Sequence, residues 1–372
     1  MTSANFSTGN PALDFFFTLF NGIAEVPLFS SPITGILILA GVFLASRKAG
    51  SMMVLSGLIG AGMALLFGAP YGLVTFGLFG YNSILTGMAF WSGPFTKANK
   101  ATFFLSVFGA AVTAVTWMAM SHLMGDLFIL NGTKLSWAIP GFTSSFIFTT
   151  WAMMYATKRF GHDIWPAAPP APKEELIVGS SNPSQTDNFK WTPKEFIIAT
   201  LKGVSQVTFV ENWKTGIFWV VGLTLSFELA PLIAGQARPW FTNGYTSQWN
   251  ELSPLYLAGL MALIGSAIGV ALAILTKLPT AEIRLGLHGF NQVLVMIALT
   301  SFLPLTPQSF MIAVLATVAC SVVVMPALQR FFGMWGLPAL TGPFVFTAFT
   351  FMLAIAGFSH IPAGIGWSRP SP

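Results

Sequence analysis

Twelve apolar stretches separated by short polar breaks limit what this 372-residue chain can fold into. They fall at 12–24, 33–46, 49–68, 72–92, 101–122 and 137–156, then at 195–209, 214–235, 254–276, 286–303, 308–327 and 337–358. Only 8% of the residues are charged, against about 25% in a soluble domain. So few charges cannot cover a surface facing water. The sequence therefore predicts an all-α polytopic membrane protein whose partner is the lipid bilayer. The net charge of +5 comes from Lys and Arg placed mostly between the apolar stretches. Membrane topology accounts for them, and no nucleic acid is implied. Cys320 stands alone, so there is no disulfide framework. The short polar N-terminus predicts no cleavable signal peptide.

The stretch 157–194 is rich in Pro, Ser and Asn and reads as a solvated linker. It divides the chain into a first membrane repeat, 1–156, and a second, 195–372. Three blocks recur across it in the same order. Gly22-Ile23-Ala24-Glu25-Val26 matches Gly203-Val204-Ser205-Gln206-Val207, and Thr34-Gly35-Ile36 matches Thr215-Gly216-Ile217. Gly77-Leu78-Phe79-Gly80-Tyr81-Asn82 matches Gly286-Leu287-His288-Gly289-Phe290-Asn291, with Leu85 and Leu294 three residues on. Ile139-Pro140-Gly141-Phe142-Thr143-Ser144-Ser145-Phe146 is a weaker copy of Leu337-Pro338-Ala339-Leu340-Thr341-Gly342-Pro343-Phe344. The offsets are 181, 209 and 198 residues, so the halves differ in loop length.

The first stretch of each half is too short to cross roughly 30 Å of hydrocarbon. Read as half-helices, 12–24 and 195–209 leave five spans per half, an odd number. The halves are then inverted, with about ten transmembrane helices and two re-entrant half-helices lining a central pore. In such folds the substrate site lies near the midplane, where the repeats meet.

The blocks resemble the urea transporter family over nearly the whole chain. Leu-Pro-x-x-Thr-x-Pro-Phe is that family's hallmark, and Leu337–Phe344 fits every fixed position. The first copy departs at Ile139 and Ser145. The resemblance implies a homotrimer with one urea-conducting pore per subunit, in the plasma membrane and without a cofactor. It places Thr143 and Thr341 at the narrow middle of the pore. It implies solute sites at Glu25, Val26 and Leu28, at Gln206, Val207 and Phe209, at Tyr81 and Leu85, and at Phe290 and Leu294. Leu28 and Tyr81 stand where Phe is common in the family.

Urea is flat and neutral, with four N–H groups and one strong acceptor. An unpaired amide in an apolar site costs roughly 2–7 kcal/mol. A pore for urea therefore needs a row of acceptor oxygens, from threonine hydroxyls, freed carbonyls and a Gln or Glu side chain. Each site must hold the solute weakly enough to release it. An ionisable Glu25 in an apolar segment also admits a proton-coupled carrier. A same-fold pore for short amides or ammonia is the other alternative. His-Glu-x-x-His, Gly-x-Ser-x-Gly and phosphate-cradling Gly-Lys-Ser/Thr are all missing from the sequence, so enzymatic catalysis has no motif behind it. His288 reads as structural.

Overall fold

The computed structural model describes residues 9–126, 129–130, 133–134, 141–160, 164–165, 189–233, 257–303 and 306–355. Ile139 and Pro140 of the first motif copy, most of the 157–194 linker and the polar stretch around Gly235–Ser253 lie outside them. In the first half the helices are α1 (Pro11–Ala24), α2 (Pro32–Ala45), α3 (Arg47–Leu66), α4 (Tyr71–Thr75), α5 (Gly80–Trp91), α6 (Lys100–Asp126) and α7 (Ser144–Thr157). The second half repeats them as α8 (Pro193–Ser205), α9 (Trp213–Ile233), α10 (Ala258–Leu275), α11 (Thr280–Arg284) and α12 (Phe290–Phe302). There α13 (Pro307–Ala319) runs through a π-helical turn, Cys320–Val324, into α14 (Met325–Gly333), and α15 (Gly342–Ile355) follows. Two-residue strands β1 (Ile129–Leu130) and β2 (Thr133–Lys134) pair antiparallel in the α6–α7 connection.

Four helix starts share one device. Asn10-Pro11, Ser31-Pro32, Thr192-Pro193 and Thr306-Pro307 each place a polar cap before a proline. In each, the cap side chain accepts a first-turn N–H. The proline costs nothing there, because its missing N–H would have had no helical partner.

The apolar stretch 72–92 reads as one segment in the sequence, yet it forms two helices, α4 and α5. Gly77 causes the break. It sits at φ 97°, and a Cβ on it would run into the backbone of Asn21 and Gly22 in α1. Gly286 does the same between α11 and α12, at φ 83° against the backbone of Lys202 and Gly203. Only glycine meets both demands at these points.

The halves join through α2 and α9. Thr34 Oγ1 donates to the Gly222 carbonyl at 2.8 Å, and Thr215 Oγ1 donates to the Gly41 carbonyl at 2.7 Å. Early α2 thus meets the middle of α9, and late α2 meets early α9, so the helices run antiparallel. Equivalent residues exchange equivalent bonds, as a local two-fold axis requires. One continuous apolar core runs through both halves, from Ile23, Met53 and Leu85 to Leu294, Phe344 and Met352.

Among the described residues, four helical runs are long and apolar enough to cross a membrane: Arg47–Leu66, Lys100–Leu123, Ala258–Leu275 and Pro307–Gly333. These are α3 with its equivalent α10, and α6 with its equivalent α13–α14. Six of the helices beside the repeated blocks, α1, α5, α7, α8, α12 and α15, have 12 to 14 residues each. At 1.5 Å per residue each covers about 20 Å. Large apolar side chains such as Leu66, Phe67, Phe104, Leu275 and Met311 point outward, as lipid contact requires.

Gly35 packs against the Phe20 carbonyl and Gly216 against the equivalent Leu201 carbonyl, with no room for a Cβ. Gly35→Val and Gly216→Val should each cost about 1–3 kcal/mol of stability. Gly62→Val faces open space and should be near neutral. Thermal melts in detergent, scored by monodispersity, check the contrast.

Candidate solute site

Two backbone turns meet where the halves join. Phe142 and Leu340 hold φ of 46° and 52°, a left-handed region that non-glycine residues seldom enter. Each is followed by a threonine and then by a helix. Thr143 caps α7, and Thr341 directly precedes α15. The Ser144 N–H donates to the Gly141 carbonyl, and the Gly342 N–H donates to the Ala339 carbonyl at the same 3.0 Å.

A buried asparagine clamps each turn. Asn82 Nδ2 donates to the Phe142 carbonyl at 3.1 Å, while its Oδ1 accepts the Phe146 N–H at 3.1 Å. Asn291 Nδ2 donates to the Leu340 carbonyl at 3.2 Å, and its Oδ1 accepts the Phe344 N–H at 3.0 Å. One amide thus pairs both groups that the broken helix leaves open. A primary amide suits this, because it donates and accepts side by side.

The clamps bring the two threonines together. Thr143 Oγ1 and Thr341 Oγ1 lie 2.7 Å apart, and both residues are fully buried. Their mutual bond uses one hydrogen. The pair keeps one further O–H and several lone pairs for a neighbour.

Tyr81 belongs to the same cluster. Its hydroxyl donates to the Phe142 carbonyl at 2.7 Å and accepts from Trp117 Nε1 at 3.1 Å. Trp117 packs on Phe79, with ring centroids 4.6 Å apart. The equivalent of Tyr81 is Phe290, which has no hydroxyl. Leu85 and Leu294 lie fully buried about one turn into α5 and α12.

The remaining sequence-predicted residues form two further clusters. Glu25 ends α1, Val26 is fully buried, and Leu28 turns the chain at φ 72°. Gln206 and Val207 form a single 3₁₀ turn after α8, and Phe209 turns the chain at φ 58°. Leu28 and Phe209 are thus equivalent in backbone as well as in register. Gln206 Nε2 donates to the Leu285 carbonyl at 2.9 Å, at the end of α11. The Glu25 carboxyl is bonded by the Ser30 hydroxyl, which lies 2.9 Å from the Phe76 carbonyl at the end of α4. Phe209 lies 5.5 Å from Phe95 and 6.0 Å from Phe146, ring to ring. Since Phe146 lies in the first turn of α7, this links the Gln206 cluster to the Thr143 turn. His288 bonds Glu282 at 3.2 Å.

Sequence reasoning singled out neither asparagine as a site residue, although Asn82 and Asn291 recur in both copies of the Gly-rich block. Ser30 and Trp117 carry no repeat signal at all.

The sequence profile of the urea transporter family matches residues 1–134, 127–236 and 253–370. The chain belongs to the urea transporter family. It is 28% identical over 359 residues to Urea transporter 1 of Ovis aries, covering 94% of this chain and 80% of that protein. Urea transporter 1 of Capra hircus matches to the same extent. The Rattus norvegicus protein of that name is 26% identical over 361 residues. As a urea transporter family member, the chain is an integral membrane protein and not an enzyme.

The clamps are unequal, and this is measurable. Removing Asn291 leaves the buried Leu340 carbonyl and Phe344 N–H both unpaired, at about 1–3 kcal/mol for each group. Removing Asn82 leaves the Phe142 carbonyl still paired with Tyr81. Asn291→Ala should therefore lower the melting temperature more than Asn82→Ala. In a Tyr81→Phe background the two losses should become similar.

Proposed function

We propose that this urea transporter family member conducts urea passively down its gradient, through one narrow pore in each subunit of a homotrimer in the plasma membrane. The Thr143–Thr341 pair carries the reading. It joins equivalent turns of the two halves at the start of two short helices, with every backbone group of the turns' clamped positions paired. Irregular backbone is tolerated at membrane depth when it lines a cavity or is buried in protein. We take the halves, 1–156 and 195–372, to be inverted across the linker 157–194, with ten crossings and two half-helices. The antiparallel α2–α9 contact supports that arrangement.

In this reading urea meets Glu25, Val26 and Leu28 on one side and Gln206, Val207 and Phe209 on the other. Tyr81, Leu85, Phe290 and Leu294 form the walls, and Thr143 and Thr341 form the middle. Acceptor oxygens take the urea N–H groups in turn, which replaces the water that the solute leaves behind. Urea is neutral, so the membrane potential does no work on it and no ion coupling is required.

Urea efflux from proteoliposomes tests the proposal, with acetamide and methylammonium as competitors. Urea flux should exceed that of empty liposomes, and neither competitor should match urea as a permeant. Thr341→Val should slow urea flux by about tenfold, the rate equivalent of about 1.4 kcal/mol, while size-exclusion still shows the trimer. Flux no faster than in empty liposomes would overturn the reading. Unchanged flux in Thr341→Val would remove the threonine pair from it.

A further inference from the structure

We propose that Ser144 and Ser145, at the start of α7, form a subsite that binds the carbonyl oxygen of the solute and so sets which way it points at the Thr143–Thr341 pair. The proposal rests on the urea-conducting reading and adds a direction to it. Ser144 and Ser145 are 0% and 1% exposed, and neither hydroxyl has a partner. An unpaired buried hydroxyl costs the folded state free energy, and a ligand that supplies the missing partner offsets it. The equivalent residues in the second half are Gly342 and Pro343, which hold no hydroxyl.

What the start of α7 lacks is an acceptor. The Ser144 N–H donates to the Gly141 carbonyl, the Phe146 N–H to Asn82 Oδ1 and the Ile147 N–H to the Thr143 carbonyl. Between them the Ser145 N–H reaches no acceptor among the described residues. Pro343 has no N–H at the equivalent position, so the second half leaves no donor open there. The oxygens of the turn are already engaged. The Gly141 and Thr143 carbonyls take the bonds just named, and the Phe142 carbonyl takes Asn82 and Tyr81. Two O–H groups and one N–H thus stand together with no oxygen to receive them. The start of a 14-residue helix also carries partial positive charge, which favours an oxygen rich in electron density.

The Ser144 hydroxyl points back over the turn. A Cβ on Gly141 would stand 3.4 Å from Ser144 Oγ and, its chain neighbours aside, within 4 Å of no other atom among the described residues. In the second half Ala339 puts a methyl group at the equivalent point. The first half therefore has room beside a hydroxyl where the second has a methyl group and no hydroxyl. Thr143 lies between Gly141 and Ser144 in the turn, with its Oγ1 bonded to Thr341. Urea carries one strong acceptor and four N–H groups. With its oxygen held by the serines, its N–H groups are left for the threonine oxygens. The second half offers no matching donors, so the solute has one preferred direction at the pair.

Thiourea tests the subsite, because it carries the same N–H groups on a flat frame but has a sulfur, a weak acceptor, in place of the oxygen. Two double variants of the full chain are compared with the unmodified chain. Ser144→Ala with Ser145→Ala removes both hydroxyls. Ser144→Gly with Ser145→Pro copies the second half and removes the N–H as well. In proteoliposomes the ratio of urea flux to thiourea flux should fall about fivefold in each, as befits one lost hydrogen bond to the oxygen. In detergent the alanine pair should melt no lower than the unmodified chain, because the hydroxyls it removes are unpaired. An unchanged flux ratio would overturn the subsite, even if both fluxes fell together as a packing defect would make them. A lower melting temperature for the alanine pair would show that the hydroxyls are paired within the protein, and would overturn it without any transport measurement. If the unmodified chain carried urea no faster than empty liposomes, the conducting reading would fall and the direction with it. Urea flux in the unmodified chain with an unchanged ratio in the variants would sink the subsite alone.

Discussion

Every break in a helix at membrane depth leaves backbone groups that water cannot reach. Unpaired, each costs several kcal/mol. This chain turns side by side at buried Phe142 and Leu340, and the rest of the fold serves to keep the backbone groups there paired. Asn82 and Asn291 supply the partners. They can do so only if α5 and α12 begin at the right depth. That depth is set by Gly77 and Gly286, which let the chain turn against the backbones of α1 and α8. The α2–α9 contact then holds the halves together, and the two threonines meet as a consequence.

Symmetry accounts for the frame, and departures from it mark where the halves differ in chemistry. The left-handed residues occur in equivalent pairs, Leu28 with Phe209 and Phe142 with Leu340. The backbone path is therefore duplicated even where the side chains are not. Tyr81 corresponds to Phe290, Glu25 to Gln206, and Ser144-Ser145 to Gly342-Pro343. All three changes add polar hydrogens or acceptors to the first half. Tyr81 spends its hydroxyl on the Phe142 carbonyl and on Trp117, so it braces that turn without adding a free donor. The Ser144 and Ser145 hydroxyls, by contrast, are buried without a partner beside Thr143.

Much of this was legible in the sequence. Scarcity of charge gave the membrane class, and repetition gave the two halves. The shared Pro-Thr motif pointed to Thr143 and Thr341, which the fold brings into contact. What escaped has a common physical cause. The turn at 76–79 is built from apolar residues because it is buried in protein, so periodicity and polarity do not reveal it. The asparagine clamps look like ordinary polar residues until the turn they close is known. Ser30 aligns with Glu211 in the second half, so a search for repeats passes over it.

The threonine contact bears on how a pore can be closed and yet permeable. At 2.7 Å the two hydroxyls leave no gap for a solute between them. A solute passing alongside must break their bond or share it. For urea the exchange is nearly even, because one N–H replaces the donor that one hydroxyl loses and the urea oxygen replaces the acceptor that the other loses. A neutral hydrogen bond exchanged for another changes the free energy by only about 1 kcal/mol. A solute lacking either an N–H donor or an acceptor opens the same bond and leaves a buried hydroxyl unpaired. An ion must also shed its water in an apolar passage. In the proposed pore the pair would discriminate by hydrogen-bond accounting more than by width, with Phe290, Leu294, Tyr81 and Leu85 as the proposed walls that select for flatness. Under that proposal the threonines must be equivalent in both halves, while the wall residues are free to differ.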